Sequence, residues 1–185
     1  MRRWNGWGDA TTVVELSAQG AGFLAARVGT GRALPDATLF HFGVMTSSMH
    51  NAFMRFTCGR LKSDFRYSNT IVYNNYPWPG FAGEPLSDKH RTAIEQAAQC
   101  VLDARAQFAS SSLADLYDPL TMPPALLKAH QKLDTAVDAA YQPSGGKKTY
   151  ASDAERVAFL FELYQRITSL LPKPAVKKPS KTKLG

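Results

Sequence analysis

The chain has 185 residues, 44% of them hydrophobic, and 22 Lys/Arg against 15 Asp/Glu give it a formal net charge of +7. That length holds one domain, or one domain with a piece of another, and the positive balance favours an acidic partner, nucleic acid before a membrane surface. No run approaches the ~18 apolar residues of a spanning helix, and no secretory leader pattern follows Arg2 and Arg3, so a cytoplasmic protein without a membrane partner is expected. Cys58 and Cys100 lack any CxxC or Cys/His spacing and are expected to be buried, inert thiols.

Residues 1–33 form a lead rich in tryptophan and glycine: Trp4, Trp7, Gly6, Gly8, Gly20, Gly22, Gly29 and Gly31. Gly20-Ala21-Gly22 has the look of a turn that approaches S-adenosylmethionine, but such a turn follows a buried strand ending in an acid. Here Leu16-Ser17-Ala18-Gln19 precedes it, and a loop or helix start is expected. Residues 38–44 alternate weakly and predict a short strand. Thr46, Ser47 and Ser48 offer side-chain oxygens to a helix start, and Met49, Phe53 and Phe56 recur at helical spacing as a core stripe until Gly59. Residues 66–74 are aromatic and β-branched, predicting a strand or hairpin. Pro77 and Pro79 stop it, and residues 80–85 read as a linker.

A helical unit is predicted over residues 86–171. Ser87 caps a first helix with Ile94, Ala97, Ala98, Val101, Leu102 and Phe108 on one face. A short turn at residues 113–117 precedes a second helix opened by Pro123-Pro124, with Leu126, Leu133, Ala136, Val137, Ala140 and Tyr141 inward. Ser152 and Glu155 form a capping-box pattern for a third helix facing inward through Val157, Leu160, Phe161, Tyr164, Ile167 and Leu171. Matching stripes on three helices predict a small bundle. Residues 172–185 carry five lysines, three prolines and no acid, and are expected to be disordered.

Chemistry is sparse. Asn74-Asn75-Tyr76-Pro77-Trp78-Pro79 approaches the amide–proline–aromatic turn of amino-methylating enzymes, but its prolines are separated and its order differs. Asp64 beside Lys62 has no second acid at strand spacing, and His41, His50, His90 and His130 show no i, i+4 metal pair. The informative stretch is 39–79, where nine aromatic residues interleave with Arg55, Arg60, Lys62 and Arg66. Cations for phosphates beside flat and amide groups for bases suit nucleic-acid contact, although the same composition also fits a small core with a basic rim.

The motifs His41-Phe42-Gly43-Val44, Thr46-Ser47-Ser48-Met49-His50, Gly59-Arg60-Leu61-Lys62-Ser63-Asp64 and Arg66-Tyr67-Ser68 lie in this stretch, which ends in the run from Ile71 to Pro79. Together they resemble the end of the target-recognition region of MmeI-like, type IIL restriction–modification proteins. The run from Ser112 to Tyr141 resembles the helical C-terminal domain of the same family. Residues 1–38, with their Trp4-Asn5-Gly6-Trp7-Gly8-Asp9 opening and Arg27-Val28-Gly29-Thr30-Gly31-Arg32, resemble instead the N-terminal lead of FAD-linked oxidases. A fused reading frame is the expectation there, with no flavin chemistry.

The elements together predict an α+β fold: a mixed segment over 34–80, a helical domain over 86–171 and the basic tail. The resemblance implies a DNA-recognition fragment of an adenine methyltransferase, inactive alone, with double-stranded DNA as partner and the methyltransferase portion as a possible second one. Candidate DNA contacts are Arg55, Arg60, Lys62, Ser63, Arg66, Tyr67, Ser68, Asn69, Asn74 and Asn75. S-adenosylmethionine is the cofactor of the parent family and none is expected in this chain. The alternatives are a helical module docking on a separate methyltransferase subunit, and a gene remnant without function.

Overall fold

The computed structural model of the chain describes residues 14–19, 23–28, 32–34, 37–61, 64–81 and 85–169. Where the alternation Phe40-x-Phe42-x-Val44 predicts a strand, the chain forms helix α1 (Leu39–Thr46). Phe40, Phe42, Gly43, Val44, Met45 and Thr46 are all buried. A helix that is apolar on every side carries no facing pattern, so a two-residue alternation in it is uninformative. Its start is held by His41, whose Nδ1 accepts the Thr38 N–H at 3.2 Å and lies 3.0 Å from Thr38 Oγ1. Histidine thus stands where a capping box usually places Glu or Gln.

Ser47 closes α1 and opens α2 (Ser48–Thr57). Its Oγ donates to the Val44 carbonyl at 2.6 Å and accepts the His50 N–H at 3.4 Å. A second cap comes from helix α5 (Pro124–Tyr141), where the Asp134 carboxylate accepts both the Ser48 N–H and its hydroxyl at 2.7 Å. Met49 and Phe53 are buried as predicted, but Phe56 is 67% exposed and lies outside the core stripe.

Short antiparallel pairs make up the strands. β1 (Val14–Gln19), β2 (Phe23–Val28) and β3 (Arg32–Leu34) pair in that order, with Val14 opposite Val28 and Val28 opposite Arg32. The Gly20-Ala21-Gly22 turn lies outside the described residues, as do residues 1–13 and the tail after Ser169. β4 (Gly59–Leu61) and β5 (Asp64–Arg66) form a hairpin with Gly59 opposite Arg66. The strand predicted over 66–74 is instead a π-helical turn, Asn69–Tyr73, with Val72 fully buried and Ile71 half exposed.

The fold is therefore mostly helical and not α+β. Every residue of the described core comes from helices, turns and loops, and none from a strand. Helix α3 (Asp88–Ala106) starts at Ser87, whose side chain accepts the His90 N–H, and a short α4 (Leu113–Leu116) follows. α6 (Asp153–Thr168) starts at Ser152 in the same way, while Glu155 reaches back to the Ala151 N–H at 2.9 Å. α1 packs on α3 and α5, and α2 on α6, so residues before and after the 80–85 segment share one core. Phe42, Met49 and Met54 join Ile94, Leu126, Leu133 and Leu160 there.

The contact of α1 with its neighbours is close because Gly43 has no side chain. A Cβ on it would stand 2.8 Å from Ile94 Cγ2, 3.2 Å from Ala98 and 3.3 Å from Leu133 Cδ1. On α6 the buried residues are Phe159, Leu160 and Leu163, a stripe turned away from the predicted one. Phe161 packs instead on the exposed Phe56, ring centroids 5.4 Å apart, and Ile167 is 38% exposed.

Candidate nucleic-acid interface

Arg60 and Arg66 lie on the two strands of the β4–β5 hairpin, Arg60 opposite Phe65. Lys62 and Ser63 at its tip fall outside the described residues, as do the side chains of Arg60, Arg66 and Asn69. The hairpin leaves the core at fixed points. At its entry the Cys58 N–H donates to the Met54 carbonyl at 2.9 Å. At its exit the Tyr67 hydroxyl sits 3.2 Å from His50 Nε2. Burial pushes His50 down to about 4, so this imidazole is neutral at pH 7, and burial also pushes the Tyr67 hydroxyl well up.

Ser68 and Asn75 bracket the π-helical turn. Ser68 Oγ accepts the Ile71 N–H at 3.3 Å. From the other end, Asn75 Nδ2 donates to the carbonyls of Thr70 at 2.8 Å and Ile71 at 3.0 Å, and its Oδ1 accepts from the Tyr164 hydroxyl of α6 at 3.4 Å. A turn with i→i+5 spacing leaves carbonyls that a nearby amide satisfies. Asn74, its neighbour, is exposed. Arg55 is engaged elsewhere: its guanidinium meets Asp153 at the start of α6 at 2.7 Å. The candidates thus divide into hairpin cations, the exposed Asn74, and residues that tie the hairpin's exit to the helices.

Beside this exit lies a groove of about 680 Å³ that the sequence did not reveal as a site. Trp78 forms its centre, with ring centroids 5.3 Å from Tyr73, 5.4 Å from Tyr76 and 5.6 Å from His41. Arg91 of α3 stands over the Phe40 ring at 4.6 Å, and the end of α6 supplies Tyr164, Ile167 and Thr168. The aromatic density of residues 73–81 was the available signal. What the sequence does not give is that α3 and α6 converge on it.

Deeper in, Asp138 and Arg156 pair at 3.4 Å with both side chains nearly buried, and burial pushes Asp138 up to about 6 while Arg156 opposes it. His130 lies 2.7 Å from the Tyr117 hydroxyl, to which Arg105 Nε donates at 2.8 Å, and burial with help from Arg105 pushes His130 down to about 3. These networks lie inside the helical body. Among the described residues no cluster of three or more His, Cys, Asp or Glu is placed to hold a metal, and no helix is long and apolar enough to cross a membrane.

Two family models match the chain: "MmeI, target recognition domain" over residues 28–80 and "MmeI, C-terminal domain" over residues 86–172. The chain belongs to the MmeI family. It is similar to DNA methyltransferase A of Bacillus subtilis (strain 168), 40% identical over 133 residues that cover 72% of this chain and 14% of that protein. It is also similar to a solved structure of the type IIL restriction–modification enzyme MmeI in complex with DNA. There the TM-score is 0.67 and the identity 48%, over 75% of this chain and 17% of that one. The chain therefore spans a small part of the length of both relatives.

The two MmeI matches meet where Gly80 turns the chain with φ of 93°, a conformation that favours glycine. A Cβ there would also stand 2.8 Å from the Leu86 backbone nitrogen. The hairpin belongs to the recognition match. The groove is walled by both, with Tyr73, Asn74 and Trp78 on the recognition side and Arg91, Tyr164 and Thr168 on the C-terminal side.

Proposed function

We propose that this chain contacts duplex DNA through the β4–β5 hairpin, with the helical domain as its rigid base. The observation that carries the reading is the position of Arg60 and Arg66 on the two strands of one hairpin, with Lys62 between them in sequence, within the segment matched to the MmeI target recognition domain, a relative of which has been solved with DNA. The three cations meet phosphates, and Ser63, Asn69 and Asn74 supply the hydroxyl and amide groups that read base edges. Tyr67 and Asn75 act one step back, by holding the hairpin's exit against α2 and α6, while Ser68 caps the π-helical turn between them. Arg55 serves the α2–α6 contact and not DNA. In this reading the chain contributes recognition, and methyl transfer from S-adenosylmethionine belongs to parts of the relatives that it does not span.

Binding of the purified chain to mixed-sequence duplex DNA across a salt series tests this. Each phosphate contact contributes roughly −0.9 to the slope of log K against log salt, so Arg60→Ala with Lys62→Ala flattens the slope by about two, and Arg55→Ala leaves it unchanged. Binding that persists in the hairpin variant but disappears on deleting the lysine tail after residue 171 would refute the hairpin as the contact.

A further inference from the structure

The groove at the junction of the two matched segments is walled by rings and prolines, with Arg91 the one Lys or Arg among the described residues of its lining, so it offers little to a phosphate backbone. Trp78 and Tyr73, both half-buried, and Phe81, 69% exposed, line it, while Phe40 lies buried beneath the Arg91 guanidinium. Pro77 and Pro79 stiffen the wall between them, and Asn74 offers an exposed amide at its edge. Closely set aromatic rings with an amide donor form the kind of surface that takes a polyproline II segment. Pyrrolidine rings pack on the aromatic faces, and the carbonyls of that helix, having no internal partners, accept from side-chain donors.

This chain carries such a segment just after the last turn of α6 in its sequence. Ile167 and Thr168, the last turn of α6, line one wall, so the chain leaves its last described residue, Ser169, at the rim. Three residues later comes Pro172-Lys173-Pro174-Ala175-Val176-Lys177-Lys178-Pro179. Polyproline II geometry advances about 3.1 Å per residue, so these eight residues reach roughly 25 Å, ample for the groove. A tether this short holds the segment at an effective concentration of order millimolar, enough for a weak site to fill. Arg91 on the wall repels the intervening lysines, so ring packing and not charge must hold the segment.

We propose that the aromatic groove centred on Trp78 is a docking site for the proline segment 172–179 of this same chain. The tail then covers the apolar junction of the two matched segments and carries its lysines out along the surface.

The experiment uses the full chain with Trp4→Phe and Trp7→Phe, which leaves Trp78 as its one tryptophan. Acrylamide quenching and the emission maximum then report the groove. Replacing Pro172, Pro174 and Pro179 with alanine leaves the packed helices untouched and raises the quenching constant by about twofold or more, with a red shift, as packing on the ring is lost. Replacing Lys173, Lys177 and Lys178 with glutamine leaves Trp78 shielded, and so do high salt and dilution. Unchanged quenching in the proline variant overturns the proposal. So does shielding that vanishes on dilution, which assigns the groove to the tail of a second copy, or shielding restored in the proline variant by mixed-sequence duplex DNA. Failure of the hairpin to bind DNA leaves this readout unaffected.

Discussion

The hydroxyl of Tyr141, at the end of α5, lies 2.8 Å from the hydroxyl of Tyr76 and 3.0 Å from the carbonyl of Pro77. Both tyrosines are buried, so this pair ties the recognition segment to the C-terminal domain inside the core. Tyr141→Phe leaves a buried hydroxyl and a carbonyl without that partner and is expected to cost about 1–3 kcal/mol in urea unfolding. Removing both hydroxyls costs less than the sum of the single changes, because the second leaves nothing further unpaired. Strict additivity in that double-mutant cycle would show that the two groups do not interact.

Gly43→Ala tests the helix crossing. The new methyl collides with Ile94 Cγ2 at 2.8 Å, and its other neighbours, Ala98 and Leu133, are packed side chains with little room to retreat. Alanine's better helix propensity returns up to about 1 kcal/mol, while overpacking costs about 1–3 kcal/mol. A net loss of stability is expected, with a lowered thermal midpoint and a fold unchanged by circular dichroism. A midpoint at or above that of the parent would mean that α1 shifts freely on α3.

Much of this architecture was legible where local chemistry decides it. Ser87 and Ser152 cap the helices they were predicted to cap, and Pro124 opens α5. Legibility fails where tertiary burial overrides local pattern. α1 is buried all round, so its alternation suggested a strand. Ile71, Val72 and Tyr73 have strand-like side chains, yet Ser68 and Asn75 bracket them as a π-helical turn. The α6 stripe was misplaced because Phe161 and Ile167, apolar and correctly spaced, serve a partly exposed ring contact and the groove. In the candidate site, Arg60 and Arg66 fall on the paired strands of one hairpin, which was not legible, since the aromatic and β-branched pattern predicted a strand or hairpin over 66–74 instead. The inward ties of Tyr67 and Asn75 and the local bonds of Ser68 were not visible, since hydroxyl and amide groups satisfy backbone ends as readily as base edges.

Arg55 separates cation count from cation role. Its ion pair with Asp153 is partly exposed, with side-chain accessibilities of 20% and 34%, and such pairs contribute at most about 1 kcal/mol. Arg55→Ala is therefore expected to shift the urea midpoint slightly and to leave the salt slope of DNA binding intact. Asp153→Ala has the same small effect on stability. A large drop in DNA affinity with Arg55→Ala alone would show that the arginine exchanges Asp153 for phosphate.

Acid should unfold this protein through its buried imidazoles. His50 falls from its ordinary 6.5 to about 4 by burial, and His130 to about 3 by burial and then the nearby Arg105. The unfolded chain therefore binds more protons than the native one below pH 6.5. Each histidine contributes stability that is full above pH 6.5 and is lost as pH falls toward its folded value. Asp138 runs the other way. Burial raises it to about 6 against 3.8, with Arg156 the largest opposing influence, so its contribution is full below 3.8 and lost as pH rises through 6. Burial lowers His41 as well and raises Asp134 as well, so three imidazoles stand against two carboxyls, and the urea midpoint is expected to fall on going from pH 6.5 to about 4. Asp138→Asn removes one of the two opposing groups and steepens that fall, while His130→Gln flattens it. A midpoint that rises toward pH 4 would show that His50 and His130 titrate as exposed side chains do, and that the core around them opens to water.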